Sequence, residues 1–124
     1  MERTGMFDHI GLRVADVRKS ARLYAAMLAP LGHVPGSTGE EYAGFGPKEA
    51  PAFWLHRDAS SRKGAHVAFV APDRGSVDRF HAEGLKAGAK DNGAPGLRTD
   101  YAPNYYAAFL IDLDGNNVEA VCMR

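Results

Sequence analysis

His9-Ile10-Gly11-Leu12-Arg13-Val14-Ala15-Asp16 has a counterpart in His66-Val67-Ala68-Phe69-Val70-Ala71-Pro72-Asp73, 57 positions further along the chain. Each octet leads into a stretch of helical periodicity, closing near Gly32 in the first copy and near Ala89 in the second. His9 falls on His66, Asp16 on Asp73, Arg22 on Arg79, Leu23 on Phe80 and Leu28 on Leu85. Single coincidences are cheap. Five in one register, inside matching strand-then-helix patterns, read as an internal repeat.

Each copy has a physical reading. Residues 7–14 and 65–71 are short and rich in β-branched and aromatic side chains, as strands are. Asp16 and Asp73 suit helix N-caps, because a carboxylate accepts the free N–H groups of a first turn. Val17, Ala21, Tyr24, Leu28 and Leu31 then form an apolar stripe, as do Val77, Phe80 and Leu85 in the second copy, where Gly84 weakens the helix. Gly32 and Gly88 stand where left-handed helix ends favour glycine. Further strands are expected near 33–37, 41–45 and 52–57, and again near 89–92, 105–112 and 117–123. Asp114-Gly115 marks a hairpin turn. Residues 58–64 read as a polar linker, and 93–104 as a long irregular loop of a kind that often carries function.

The pattern predicts an α+β chain of two βαβββ modules, about 7–57 and 65–123. One helix covers one face of each sheet. The other face must meet the second module, line a cavity or meet a second subunit. At 124 residues the chain is one domain's worth. Fifteen basic residues balance fifteen acidic ones, which offers no electrostatic footprint for nucleic acid. No apolar run reaches the roughly 20 residues of a membrane span, and no lysine-rich amphipathic helix points to a membrane surface. Cys122 is the only cysteine, which favours a reducing, cytoplasmic setting. Residues 1–5 carry no hydrophobic signal segment and no expected role.

Three polar residues stand where apolar ones would be unremarkable: His9, His66, and Glu119 within Asn117-Val118-Glu119-Ala120-Val121-Cys122. Alternation puts His9, Gly11 and Arg13 on one strand face and Ile10, Leu12 and Val14 on the other. If the helices cover the Ile10/Leu12 and Val67/Phe69 faces, both histidines point into the concave side. Two imidazoles and one carboxylate can hold a divalent ion with open coordination positions. Spacing alone leaves a second reading open, in which an arginine such as Arg13 partners Glu119 and no metal is needed.

Asp8-His9-Ile10-Gly11-Leu12-Arg13-Val14, Gly64-Ala65-His66-Val67-Ala68-Phe69 and Asp112-Leu113-Asp114-Gly115-Asn116-Asn117-Val118-Glu119, in that order, resemble the glyoxalase / bleomycin resistance / extradiol dioxygenase superfamily, also called vicinal oxygen chelate proteins. The likeness runs from Phe7 to Val121. It implies a single glyoxalase-like domain, 1–124, whose paired modules form a cup around a divalent metal ion (Zn, Ni, Mn or Fe). His9, His66 and Glu119 match the ligand positions. It implies a homodimer acting on a small-molecule substrate, with sites that two subunits can share. Glyoxalase I has a fourth ligand, a glutamate, on the last strand of its first module. Here that strand reads Ala52-Phe53-Trp54-Leu55-His56-Arg57, so Trp54 or His56 takes that place, with His56 a candidate fourth ligand. The three-ligand set instead resembles fosfomycin-resistance thiol transferases and extradiol dioxygenases. Lyase or isomerase chemistry leads the expected reactions. A metal-free, bleomycin-resistance-like protein that sequesters a ligand is the rival.

Trp54, Asn92, Arg98 and Tyr101 are expected to line the cup, with Arg98 suited to an anionic substrate group. Tyr106 is expected to carry a proton alongside Glu119, Tyr105 to be strand packing, and Cys122 to be a packed thiol.

Overall fold

The structure, a computed structural model, describes residues 8–59 and 65–124. Part of the expected linker, 60–64, and the leader lie outside them. The first module runs β1 (Ile10–Val14), α1 (Val17–Leu28), a 3-10 turn (Ala29–Leu31), β2 (Val34–Thr38), β3 (Tyr42–Gly46) and β4 (Phe53–Arg57). The second runs β5 (His66–Val70), α2 (Arg74–Lys86), β6 (Lys90–Leu97), β7 (Tyr106–Ile111) and β8 (Asn117–Cys122). Both sheets have one topology, β1-β4-β3-β2 and β5-β8-β7-β6, with a parallel pair at one side and antiparallel pairs elsewhere. Two βαβββ modules are thus present, as the repeat predicts.

The caps follow the sequence. Asp16 accepts from the Lys19 N–H at 3.0 Å, and Asp73 from the Ser76 N–H at 2.7 Å. Gly32 and Gly88 take φ values of 94° and 113° at the helix ends, where a side chain would be strained. Leu12, Val14 and Val67 are buried beneath the helices, with Phe69 partly so, while His9, Gly11, Arg13, His66 and Ala68 are exposed on the opposite faces.

The two helices pack on each other, so one core serves both modules. Met27 of α1 packs against Gly84 of α2. A Cβ there would stand 2.3 Å from Leu110 Cδ1 and 2.9 Å from Met27 Cγ. The glycine that weakens α2 locally is therefore what lets α1 and β7 close on it. Leu85, expected in the buried stripe, is 41% exposed, and the buried residues of α2 are Ser76, Val77, Phe80, His81 and Gly84.

The Asp112-Leu113-Asp114-Gly115-Asn116 turn also ties the modules together. Asp112 is buried. It accepts from the Tyr24 hydroxyl of α1 at 2.7 Å and from the Asn116 backbone and side chain at 2.8 and 2.9 Å. Asp114 accepts from the Ala15 N–H at 2.9 Å and from Ser20 Oγ at 3.3 Å. A buried carboxylate needs such donors, because an unmet one is costly.

The 93–104 loop is shorter than expected. β6 continues through Leu97, with register shifts around Gly93 that glycine accommodates at φ 153°. Among the described residues, no helix is long and apolar enough to cross a membrane.

Candidate functional site

Each module presents a hollow on the sheet face away from its helix. In the second module it is lined by His66, Tyr101, Tyr105, Phe109, Asn117 and Glu119. In the first it is lined by Asp8, His9, Pro51, Trp54 and His56.

The strand registers show what occupies equivalent places. Ala68 of β5 pairs with Glu119 of β8, which pairs in turn with Phe109 of β7. Gly11 of β1 pairs with Trp54 of β4, which pairs with Gly44 of β3. Trp54 therefore stands where the second module has its acid. Its ring lies across Gly44, where a Cβ would come within 2.5 Å of it. His56 is two residues further along the same face, with its ring against Gly11, and lines the same hollow as His9.

Glu119 is buried, at 2% exposure, and both its oxygens have partners. Oε1 lies 3.0 Å from His66 Nε2. Oε2 accepts the Tyr105 hydroxyl. Burial, and then the hydrogen bond to Glu119 with its negative charge, push the Tyr105 phenol up to about 12. The ring stays protonated and donating at ordinary pH. The Tyr101 ring meets Tyr105 edge-on at a 5.0 Å centroid distance, and the His66 ring stacks beside Phe109 at 6.5 Å.

His66 and Glu119 are thus brought together and His9 is not. Its Nδ1 lies 2.8 Å from Asp8 Oδ1 in the other hollow. Among the described residues of one chain, no three His, Cys, Asp or Glu side chains converge as a cation site. The pair that does converge fits a metal ion. A gap of 3.0 Å between an imidazole nitrogen and a carboxylate oxygen is about the edge of a coordination shell with bonds of roughly 2.0–2.2 Å. The alternative partner for Glu119, Arg13, is instead 3.8 Å from Asp58 in the first module.

The other expected residues divide. Trp54 and Tyr101 line the hollows, and Asn92 reaches Asn117 Oδ1 at 3.2 Å beside the pair. Arg98, expected to meet an anionic substrate, donates two of its five N–H groups to the Ala94 and Gly96 carbonyls at 2.7 and 2.9 Å and lies over the Phe109 ring. Tyr106 is on the helix side. It donates to Asp78 of α2 at 2.6 Å, with Arg74 over its ring, so it does not reach Glu119. Tyr105, expected to be packing, makes that contact. The signal available in the sequence was parity: Tyr105 and Phe109 fall on one side of the strand alternation, and Tyr106 on the other. Cys122 is buried on the helix side, as expected.

No family model matches the chain, and no curated protein does. Solved structures match over nearly the whole length. A glyoxalase/bleomycin resistance protein from Albidiferax ferrireducens is 27% identical with a TM-score of 0.85, covering 97% of this chain and 100% of that one. A glyoxalase/bleomycin resistance protein/dioxygenase family enzyme from Burkholderia phytofirmans is 14% identical with a TM-score of 0.73, over 94% and 98%. A glyoxylase/bleomycin resistance protein/dioxygenase domain from Frankia is 21% identical with a TM-score of 0.70, over 99% and 100%.

Proposed function

We propose that this chain, whose fold is that of the glyoxalase/bleomycin resistance/dioxygenase proteins, is a divalent-metal-dependent enzyme whose centre two copies complete. The carrying observation is the buried Glu119 carboxylate beside the half-exposed His66 imidazole. The two supply two ligands, and His9 of a second copy supplies the third. Lewis-acid polarisation of a substrate oxygen is the chemistry such an ion contributes. Phe109, Tyr101 and Trp54 would wall the substrate and exclude water. Tyr105 would keep Glu119 aimed.

Homodimer assembly has its own support. β1 and β5 are terminal strands of their sheets, so among the described residues each leaves one edge without a strand neighbour. Beside them an apolar hollow is lined by Ile10, Phe53, Phe69 and Val70, and Val70 is 79% exposed. A second copy would cover that surface. Lyase or isomerase chemistry, thiol transfer and ring cleavage remain the reaction classes in play, and a cytoplasmic location belongs to the same proposal.

One observation favours the rival, a metal-free protein that sequesters a ligand. His66 and Tyr105 already satisfy Glu119, and both hollows carry aromatic rings suited to a planar guest. Metal analysis of protein purified without chelator separates the two. The enzyme reading expects near-stoichiometric metal, lost in both His66→Ala and Glu119→Gln. Metal-free protein whose thermal midpoint ignores added Mn, Fe, Ni or Zn supports the binder.

A further inference from the structure

The two oxygens of Glu119 do different things. Oε1 lies beside His66, and the two residues line the same hollow. Oε2 faces the Tyr105 hydroxyl, which arrives from just before β7. Tyr105 is itself fixed. Its carbonyl accepts from the Arg98 N–H at 2.7 Å, its N–H donates to the Ala102 carbonyl at 3.2 Å, and the Tyr101 ring braces its side. Arg98 is held in turn by the Ala94 and Gly96 carbonyls. The hydroxyl therefore sits on a pinned turn, not on a free side chain.

A carboxylate with both oxygens free can swing, and can grip a cation with one oxygen or two. A donor fixed on one oxygen removes that freedom. We infer that Tyr105 is a positioning residue: its hydroxyl immobilises Oε2 of Glu119, so that Oε1 alone, beside His66 Nε2, is offered to a cation. The inference rests on the metal reading above. Outer groups that orient a ligand in this way change metal affinity by about 10- to 100-fold when removed. The neighbouring Tyr106 provides a matched control, because it loses the same hydroxyl on the helix side, where its partner is Asp78.

Metal-free wild type, Tyr105→Phe and Tyr106→Phe would be titrated with Mn²⁺ and with Zn²⁺ by calorimetry. Tyr106→Phe should bind like wild type and Tyr105→Phe about 10- to 100-fold more weakly. Equal affinity in Tyr105→Phe and wild type overturns the assignment and leaves the metal reading standing. A wild type that binds neither ion overturns the metal reading, and the assignment falls with it. Thermal unfolding of the metal-free proteins gives a second readout if Tyr105→Phe is poorly folded. The midpoint should fall for Tyr105→Phe in the wild-type background and not fall when Glu119→Ala is already present, since the hydroxyl acts through the carboxylate. An equal fall in both backgrounds would show a general packing role and overturn the assignment.

Discussion

The two modules share a topology and a register but fill the same node in opposite ways. In the first, Trp54 pairs with Gly11 and Gly44, and its ring takes the space that Gly44 leaves while the His56 ring lies against Gly11. In the second, Glu119 lies between Ala68 and Phe109, and a buried charge is held by His66 and Tyr105. The helix side differs too. Tyr106, Asp78 and Arg74 close the seam between α2 and β7, whereas Val17, Arg18, Ala21 and Arg22 leave a groove between α1 and β2–β3. A duplicated scaffold fixes where a side chain can act. The residue placed there, with its neighbours, decides whether the position is wall or ligand.

The largest effect expected from breaking this asymmetry is at the second module's turn. Asp112→Ala removes the buried acceptor of Tyr24 and Asn116 and should cost about 3–4 kcal/mol in urea unfolding. The matching turn position in the first module, Pro47, makes no such tie, and Pro47→Ala should cost well under about 1 kcal/mol. Next, Gly84→Val forces a side chain between Met27 and Leu110 and should lose about 2–3 kcal/mol despite removing a helix glycine. Tyr24→Phe deletes one hydrogen bond to a buried carboxylate and should lose about 1.5–2 kcal/mol. Leu85→Ala, at an exposed position, should change stability by less than about 0.5 kcal/mol, although its repeat partner Leu28 is core.

The gentlest probe is pH. Asp16 is held below the usual carboxylate range by the Lys19 N–H, Asp73 by the Ser76 hydroxyl and N–H, and Asp91 by the Gly93 N–H and then His81. Groups with lowered folded pKa values stabilise the fold above the ordinary aspartate value of about 4 and lose that stabilisation as pH falls through the lowered values. These three carboxylates should leave the thermal midpoint unchanged from neutral pH to about 5 and lower it below about 4, on top of a shallower loss below about 6.5 from His33, whose imidazole is held below its usual range by burial. Asp73→Asn should flatten the acid limb.

Much of this was legible because local chemistry and the repeat agreed. The aspartate caps, the glycines at the helix ends and the buried Leu12/Val14 face follow from backbone donors, φ and alternation alone. The His66–Glu119 meeting follows from two parallel strands pairing in register. What was not legible depended on partners far away in sequence. Asp114 read as a turn former and Asp112 only as part of the resembling motif, yet both anchor α1. Arg98 read as a partner for an anionic group, and the bonds that two of its donors make to its own loop's carbonyls were not foreseen. Tyr105 and Tyr106 are adjacent, and alternation gives them opposite faces without saying which face holds the acid. Phe109, directly opposite Glu119, fixes that phase. His9 matched its repeat partner by position, yet a single chain leaves it in the other hollow.

Subunit complementation therefore tests the shared cation centre most directly. His9→Ala and Glu119→Gln chains would each be purified metal-free, mixed in equal amounts under exchanging conditions, and titrated with Zn²⁺. Each parent should bind little. In random pairs with two symmetric sites, half the dimers regain one intact site, so the mixture should recover about a quarter of wild-type capacity. A mixture that binds no more than its parents would contradict a centre built by two copies.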